Sequence, residues 1–168
     1  MSEIATPRDL FLHELGDILF VERKLADETL PMLIDEVQDA DLKAGLGKHL
    51  KETRRHVTNV EKVFKELGEE PKAEECIGFL ALEQEHDQLA SQASSPLIDL
   101  VDLGAVARTE NYEIAAYEGL RRMAKSLGET KAVELLDANL KDEKETLREV
   151  EKIATRVSNE SAKEVAAS

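Results

Sequence analysis

Apolar residues recur every three or four positions along most of the chain, which is the period of an amphipathic helix. The first such stretch is predicted to run from about residue 7 to residue 37, because Thr6 and Pro7 form an N-cap followed by proline at the first helical position. Pro31 lies inside this stretch and has no backbone N–H group. We therefore expect a kink or break near Leu30.

Three further long patterns predict helices over about 41–68, 96–128 and 133–157. The first two of these end at glycines, which favour the left-handed backbone of a helix stop. A shorter segment, about 74–92, precedes the stretch SQASSP, where serines and a proline mark a break. From about Arg156 the apolar pattern is lost, so we expect the last dozen residues to fray.

This order of elements predicts an all-α fold, because no stretch sustains the alternation of a strand. Two helical hairpins joined by a long segment with its own short helix describe a four-helix bundle with one crossover connection, the topology of ferritin-like proteins. We expect one domain over 1–168, with its core at about 7–157.

Several glutamates interrupt the apolar stripes of the predicted helices. Glu143 has leucines three positions before it and four positions after it, so it faces the core. Glu22 is placed in the same way in the first helix, and Glu110 and Glu113 share the inner face of the third. In the second helix, His49, Glu52 and His56 form one polar line along the edge of the apolar stripe.

The heights of these carboxylates along the bundle also agree. Thirty residues separate Glu22 from Glu52, and thirty separate Glu113 from Glu143. In antiparallel helices that rise about 1.5 Å per residue, each pair would lie near one level. The five glutamates are therefore expected to converge in the middle of the bundle.

Buried carboxylates need neutralisation, since desolvation of each costs several kcal/mol. Protons, basic side chains or cations would serve. For one glutamate, pairing with a nearby Arg or Lys is the simpler interpretation, and the available partners are Arg23, Arg55, Arg108 and Lys144. One inward carboxylate on every helix favours instead a site for two divalent ions, iron or manganese. The predicted ligands are Glu22, Glu52, Glu110, Glu113 and Glu143, with His49 and His56 as further candidates.

The composition argues against several classes of function. The formal net charge of −14 repels phosphate backbones and anionic headgroups, so nucleic acid and membrane are poor partners. The single cysteine, Cys76, forms no intramolecular disulfide and is interpreted as a packing residue. No signal peptide or membrane-length apolar run is found, which predicts a cytoplasmic protein. His13 and His86 are expected to be solvated.

Four short stretches and a proline resemble a known family. DILFVERKL at 17–25, Pro31, HLKET at 49–53, ENYEIAAY at 110–117 and DEK at 142–144 are similar to the YciE/YciF-like stress proteins of bacteria. The resemblance implies a ferritin-like bundle, a homodimer, expression under stress and a dinuclear metal site formed by the five glutamates.

One departure from the wider ferritin-like pattern concerns imidazole ligands. The Glu-x-x-His motif is absent, since Arg55 follows Glu52 and Thr146 follows Glu143 at that spacing. A carboxylate-only cage would hold redox metals less selectively.

Three functions are compared. A dinuclear metal protein would react with peroxide or oxygen, a small oxidant, with Glu113 or Glu143 as the bridge and Tyr112 or Tyr117 nearby. The alternative is a non-enzymatic structural or partner-binding stress protein with a vestigial acidic core. Iron storage is disfavoured, because nothing in the sequence indicates assembly of a cage.

Overall fold

The computed structural model describes residues 3–167, and within this range the regular structure is helical, without strands. The helices are α1 (Pro7–Lys24), α2 (Leu30–Glu36), α3 (Ala40–Glu66), α4 (Ile77–Ala90), α5 (Ile98–Leu127) and α6 (Thr130–Ala167). A π-helical segment, Leu25–Thr29, joins α1 to α2, and a 3₁₀ turn, Ser95–Leu97, precedes α5.

The start and the break of the first helical stretch are confirmed. The Thr6 hydroxyl accepts a hydrogen bond from the Asp9 N–H at 3.1 Å, and the Asp9 carboxylate accepts one from the Thr6 N–H at 2.9 Å. The break takes the form of the π-helical segment, in which Leu30 N–H donates to Leu25 O. This wider turn lies directly before Pro31, where a regular α-helix would clash with the proline ring.

The ends of the long helices agree with the sequence except at the C-terminus. Gly68 and Gly128 have φ of 76° and 81° and end α3 and α5 as predicted. Helix α6 continues beyond the predicted end at 157 to Ala167, and the expected fraying from Arg156 stays a prediction. Arg156 holds this part of α6 in place by pairing with Asp39 at 2.8 Å and with Glu160, one turn on, at 3.1 Å.

The four long helices form the predicted bundle, in which α1 packs against α3 and α5, and α6 packs against the same two helices. Helix α4 lies in the crossover connection and packs on the outside of α5. All four helices contribute leucine, valine and aromatic side chains to one core, including Phe11, Leu15, Leu46, Val60, Leu103, Tyr117, Leu136 and Val150. The predicted all-α, ferritin-like architecture is confirmed.

Gly16 lets the connection between α3 and α4 lie directly on α1. A Cβ atom at Gly16 would lie 2.9 Å from the Lys72 carbonyl oxygen, and Glu74 N–H donates to Gly16 O at 3.0 Å. We expect Gly16→Ala to destabilise the protein by about 1–3 kcal/mol through overpacking. Gly47→Ala is the control, because nothing lies within 4 Å of its added Cβ. It should stabilise α3 by about 0.5–1 kcal/mol, and urea unfolding of both variants measures the contrast.

Candidate metal centre

Four of the five predicted glutamates are almost completely buried in the middle of the bundle. The exposed fractions of Glu22, Glu110, Glu113 and Glu143 are 0%, 1%, 1% and 0%. Each is held inward by apolar neighbours three and four positions away on its own helix, as the sequence predicts. Glu52 lies at the edge, with 16% of its side chain exposed.

The buried groups form two clusters with one shared member. His49, Glu110, Glu113 and Glu143 each offer a ligand atom, and these atoms lie within 4.8 Å of one another. Glu22, His56 and Glu143 form the second cluster by the same measure. Glu143 therefore stands between two groups of potential ligands, which is the position of a bridging carboxylate.

Glu52 belongs to neither of these clusters. Its Oε1 atom lies 4.0 Å from Lys48 Nζ, while its Oε2 atom is buried and has no hydrogen-bond partner among the described residues. Its role as a ligand stays a prediction.

Hydrogen bonding leaves most of the central carboxylate oxygens unsatisfied. Within the described part of the chain, six buried oxygens of the five predicted glutamates lack a hydrogen-bond partner, two of them on Glu113 and one on Glu143, whose other oxygen lies 2.8 Å from His56 Nδ1. A buried unsatisfied polar group costs about 1–3 kcal/mol, and more when it is charged. These oxygens are free to coordinate a cation.

The basic residues considered as partners in the sequence point elsewhere. Arg23 pairs with Glu61, Arg55 with Asp142, Arg108 with Glu85 and Lys144 with Glu118. None of these four ion pairs includes one of the five glutamates. The interpretation that Arg23, Arg55, Arg108 or Lys144 neutralises the central carboxylates is therefore wrong.

Two histidines of α3 contact the buried carboxylates directly. His49 is 2% exposed and its Nε2 atom lies 3.0 Å from Glu110 Oε1. His56 is fully buried, with Nδ1 at 2.8 Å from Glu143 Oε1 and at 3.3 Å from Glu22 Oε1. Imidazole therefore lies among the buried carboxylates although the Glu-x-x-His motif is absent, because α3 supplies it from positions on either side of Glu52.

Residues outside the predicted set hold both imidazoles in place. The hydroxyl of Thr146 lies 3.3 Å from His49 Nδ1. Asp142, which pairs with Arg55 on its outer side, lies 3.2 Å from His56 Nε2. Contacts of this kind orient ligating histidines in metal sites. In the sequence, Asp142 was noted only as part of the stretch DEK at 142–144 and was not predicted to contact a histidine.

The pKa values of four ionisable groups in the two clusters are raised, because these groups are buried close to neighbouring carboxylates. Burial disfavours the charged form of His49, but the Glu110 carboxylate outweighs it and raises the pKa to about 9. Burial also opposes protonation of His56, yet Glu22 and Glu143 raise its pKa to about 11. Burial raises the pKa of Glu143 to about 8, and burial together with Glu143 raises that of Glu113 well above its ordinary range. The cluster thus strongly attracts positive charge.

Tyr117 extends the site by a chain of buried hydrogen bonds. Its hydroxyl donates to Glu22 Oε1 and accepts from Asn139 Nδ2 at 2.9 Å. Asn139 in turn accepts from Asn59 Nδ2 at 2.8 Å. Asn139 was missed in the sequence, although it lies four positions before Glu143 on the same face of α6. Tyr112 has a different role, because its hydroxyl lies 2.9 Å from Cys76 Sγ.

Comparison with known proteins gives the family. The profile described as a domain of unknown function, DUF892, matches residues 6–163. The chain belongs to the DUF892 family. None of the described helices of this DUF892 protein is long and apolar enough to cross a bilayer.

The relatives of the DUF892 protein include a stress protein of Escherichia coli. Protein YciF of strain K12 is 29% identical over 143 residues, which cover 84% of this chain and 86% of YciF. The crystal structure of YciF matches with a TM-score of 0.86 at 27% identity, covering 93% of this chain and 99% of that one. YcfI from Rhodopseudomonas palustris matches with a TM-score of 0.85 at 33% identity, covering 89% and 95%. The resemblance to YciF-like stress proteins is confirmed.

His86 corrects another expectation from the sequence. It is 8% exposed rather than solvated, and its Nε2 atom lies 2.8 Å from Oδ1 of the buried Asp102. Its Nδ1 atom lies 3.3 Å from Asp87, on the same helix. The hydrogen bond to Asp102 raises the pKa of His86 above the ordinary value of 6.5. The pair joins α4 to α5, a contact across 16 residues that helical periodicity does not show.

This pair predicts a pH-dependent contribution to stability. Because the pKa of His86 is raised in the folded state, its stabilising effect is complete below about pH 6.5 and is lost as the pH rises through the folded pKa. The loss of unfolding free energy caused by His86→Gln should therefore be larger at about pH 5.5 than at about pH 8.5. Urea unfolding at both pH values measures this difference.

Asp87→Asn is the matched control for this prediction. It should retain most of the pH dependence, since Asp102 is the main partner of His86. A loss of unfolding free energy in His86→Gln that does not depend on pH would contradict the prediction.

Proposed function

We propose that this DUF892 protein holds two divalent first-row transition ions, iron or manganese, and reacts with peroxide or oxygen in a stress response. The observation that carries the proposal is Glu143, a buried carboxylate shared by two His/Glu clusters, whose Oε2 atom has no hydrogen-bond partner among the described residues and whose Oε1 atom lies 2.8 Å from His56 Nδ1. The stress context comes from YciF, which is described as a stress protein.

The donor set fits such ions. Carboxylate oxygen with added imidazole nitrogen suits iron and manganese. His49, Glu110, Glu113 and Glu143 would hold one ion, and Glu22, His56 and Glu143 the other, with Glu52 as a further ligand at the edge. Seven residues from all four bundle helices would then share two dipositive charges, which offsets the repulsion among the carboxylates.

When bound, a pair of such ions would supply one-electron exchange with peroxide or oxygen. The protein would control protons at the same place through Tyr117. Its phenol donates to Glu22 Oε1, and burial raises its pKa well above the ordinary range, so the proton stays on the tyrosine oxygen at neutral pH. Asn139 fixes the direction of this hydroxyl by donating to it.

We also propose that the protein is a cytoplasmic homodimer and that it binds neither nucleic acid nor membrane. The formal charge of −14 supports the exclusion of anionic polymers and surfaces. The homodimer follows the resemblance to the YciF-like family.

Metal analysis tests the proposed function. Protein purified without chelator and reconstituted with Fe(II) or Mn(II) should retain about two ions per chain after gel filtration, as a shared-carboxylate site requires. Elemental mass spectrometry gives the ratio. Fewer than one ion per chain with either metal would contradict the proposal.

A non-enzymatic protein with a vestigial acidic core is the competing function, and one observation favours it. The pKa values of His49, His56, Glu113 and Glu143 are all raised, so protons can neutralise the cluster without a metal. It predicts that Glu110→Gln combined with Glu143→Gln leaves the thermal stability unchanged or higher, whether or not metal is supplied. A loss of stability confined to the metal-supplied sample would exclude it.

A further inference from the structure

A cavity of about 220 Å³ lies beside the metal centre, between the π-helical segment, α2, α4 and α5. His49 and Glu110, both members of the first metal cluster, are among its lining residues. We call this space the α4 cavity. A molecule bound in the α4 cavity would therefore lie against two proposed ligands.

The wall of the α4 cavity is mostly apolar. It includes Leu25, Leu33, Phe79 and Val106, all of them buried. An engineered apolar cavity of about 150 Å³ holds benzene, so a volume of about 220 Å³ accommodates a somewhat larger body such as a bicyclic aromatic. Peroxide and oxygen are much smaller than this cavity.

The π-helical segment contributes to the same cavity. Leu25, Glu28 and Thr29 all belong to this segment and line the space. The Thr29 hydroxyl donates to Glu83 Oε1 at 2.6 Å, which ties the segment to α4 across the cavity. Single π-helical turns inside α-helices are frequent at functional sites. The unusual backbone before Pro31 therefore shapes this wall.

Charge decides what kind of molecule the α4 cavity accepts. Four carboxylates line it, together with three basic side chains; these are Glu28, Glu83, Asp87 and Glu110, and Lys24, His49 and His86. Lys24 already pairs with Glu28 at 2.6 Å and with Glu83 at 3.5 Å. His49 pairs with Glu110 at 3.0 Å, and His86 pairs with Asp102 at 2.8 Å and with Asp87 at 3.3 Å. An anionic ligand would meet repulsion without a free positive partner among these lining groups, whereas a neutral or cationic ligand would not.

We infer that the α4 cavity binds a small organic molecule with an apolar body of bicyclic size and no negative charge, one end of which reaches His49 and Glu110. The binding itself does not need a metal. Only its role as the substrate pocket of the dinuclear centre rests on the proposed function.

Three ligands of the same shape test the chemistry of binding. They are 2-naphthalenemethanol, 2-naphthylmethylamine and 2-naphthoate, and their fluorescence is readily followed because the chain has no Trp. The neutral and cationic probes should bind saturably to the Mn(II)-reconstituted protein. The anion should bind at least about tenfold more weakly, equivalent to about 1.4 kcal/mol. Equal affinity for the anion, or no saturable binding by any probe, would overturn the inference.

Variants test the location. Ala105→Phe places a ring in the α4 cavity from α5 and should weaken the neutral probe at least about tenfold. Ala115→Phe is the matched control, because Ala115 is exposed on the same helix, and its affinity should equal that of the wild type. Met32→Phe adds bulk at a lining position that is 42% exposed, where folding tolerates it, and should also weaken binding. Unchanged affinity in both Ala105→Phe and Met32→Phe would refute the location.

The same titration on chelated protein separates this inference from the proposed function. Binding to both forms, with a change in the Mn(II) electron paramagnetic resonance spectrum when the probe is added, supports the pocket and its link to the metal. Binding to protein that retains no metal supports the pocket while the proposed function fails. Two ions per chain without probe binding overturns the pocket and leaves the proposed function standing.

Discussion

Glu143→Gln should abolish most of the stabilisation that iron or manganese gives to the protein. A ligand at 100 times its dissociation constant stabilises the folded state by about 2.7 kcal/mol per site. Glu143 belongs to both clusters, so this one substitution weakens both proposed sites. For a chain of this size each kcal/mol corresponds to about 2–4 °C in Tm. The rise in Tm on adding Mn(II) should therefore fall by about 5 °C or more.

The metal-free protein should respond very differently to Glu143→Gln. Burial raises the pKa of Glu143 to about 8, so at neutral pH without a cation this side chain is mostly protonated. Glutamine resembles the neutral acid in shape, and the unfolding free energy in EDTA should change by less than about 1 kcal/mol.

Thermal unfolding in EDTA and in excess Mn(II) measures both effects of Glu143→Gln. Glu145→Gln is the matched control, since Glu145 is 54% exposed and lies 3.7 Å from Lys48 rather than in the bundle interior. It should keep the full metal-dependent rise. A rise of wild-type size in Glu143→Gln would contradict the bridging role of Glu143.

His56→Leu should destabilise the metal-free protein by about 3–5 kcal/mol, the cost of breaking a buried charge pair on one side. His56 is fully buried and contacts Glu22, Glu143 and Asp142. Its pKa is raised to about 11, so it carries the positive charge that the Glu22 and Asp142 carboxylates face at neutral pH. Leucine leaves them without it.

Urea unfolding in EDTA measures the loss in His56→Leu. His13→Leu serves as the control, because His13 is only half-buried on α1, and its effect should stay within about 1 kcal/mol. Adding Glu22→Gln to His56→Leu should recover part of the loss, since it removes a carboxylate left without counter-charge, while its carbonyl still accepts from Tyr117. A loss below about 1 kcal/mol in His56→Leu would show that His56 does not neutralise the cluster.

The helices and the inward glutamates could be read from the sequence because both depend on local spacing. Thr6 and Pro7, Gly68 and Gly128 mark helix ends by their own backbone preferences. Glu143 is flanked by apolar residues at three and four positions, and any helix that buries those residues buries the glutamate as well.

The histidines were less clear, because their direction depends on how α3 is rotated in the bundle. His49, Thr53 and His56 are buried in line with Leu46 and Val60, so they continue the apolar stripe rather than its edge. Glu52 lies to the side of that line. The spacing of three, four, three and four was present in the sequence, but a polar residue at the edge of an apolar stripe can face either side until neighbouring helices fix its direction.

The sequence by itself determined the all-α, ferritin-like fold, the break before Pro31 and the burial of Glu22, Glu110, Glu113 and Glu143. Only the tertiary structure decided which groups meet: the sharing of Glu143 between two clusters, the pair of His86 with Asp102, and the cavity against His49. The physical reason is distance along the chain. Periodicity reports which face of one helix is apolar, whereas these contacts join different helices and depend on their rotation and packing.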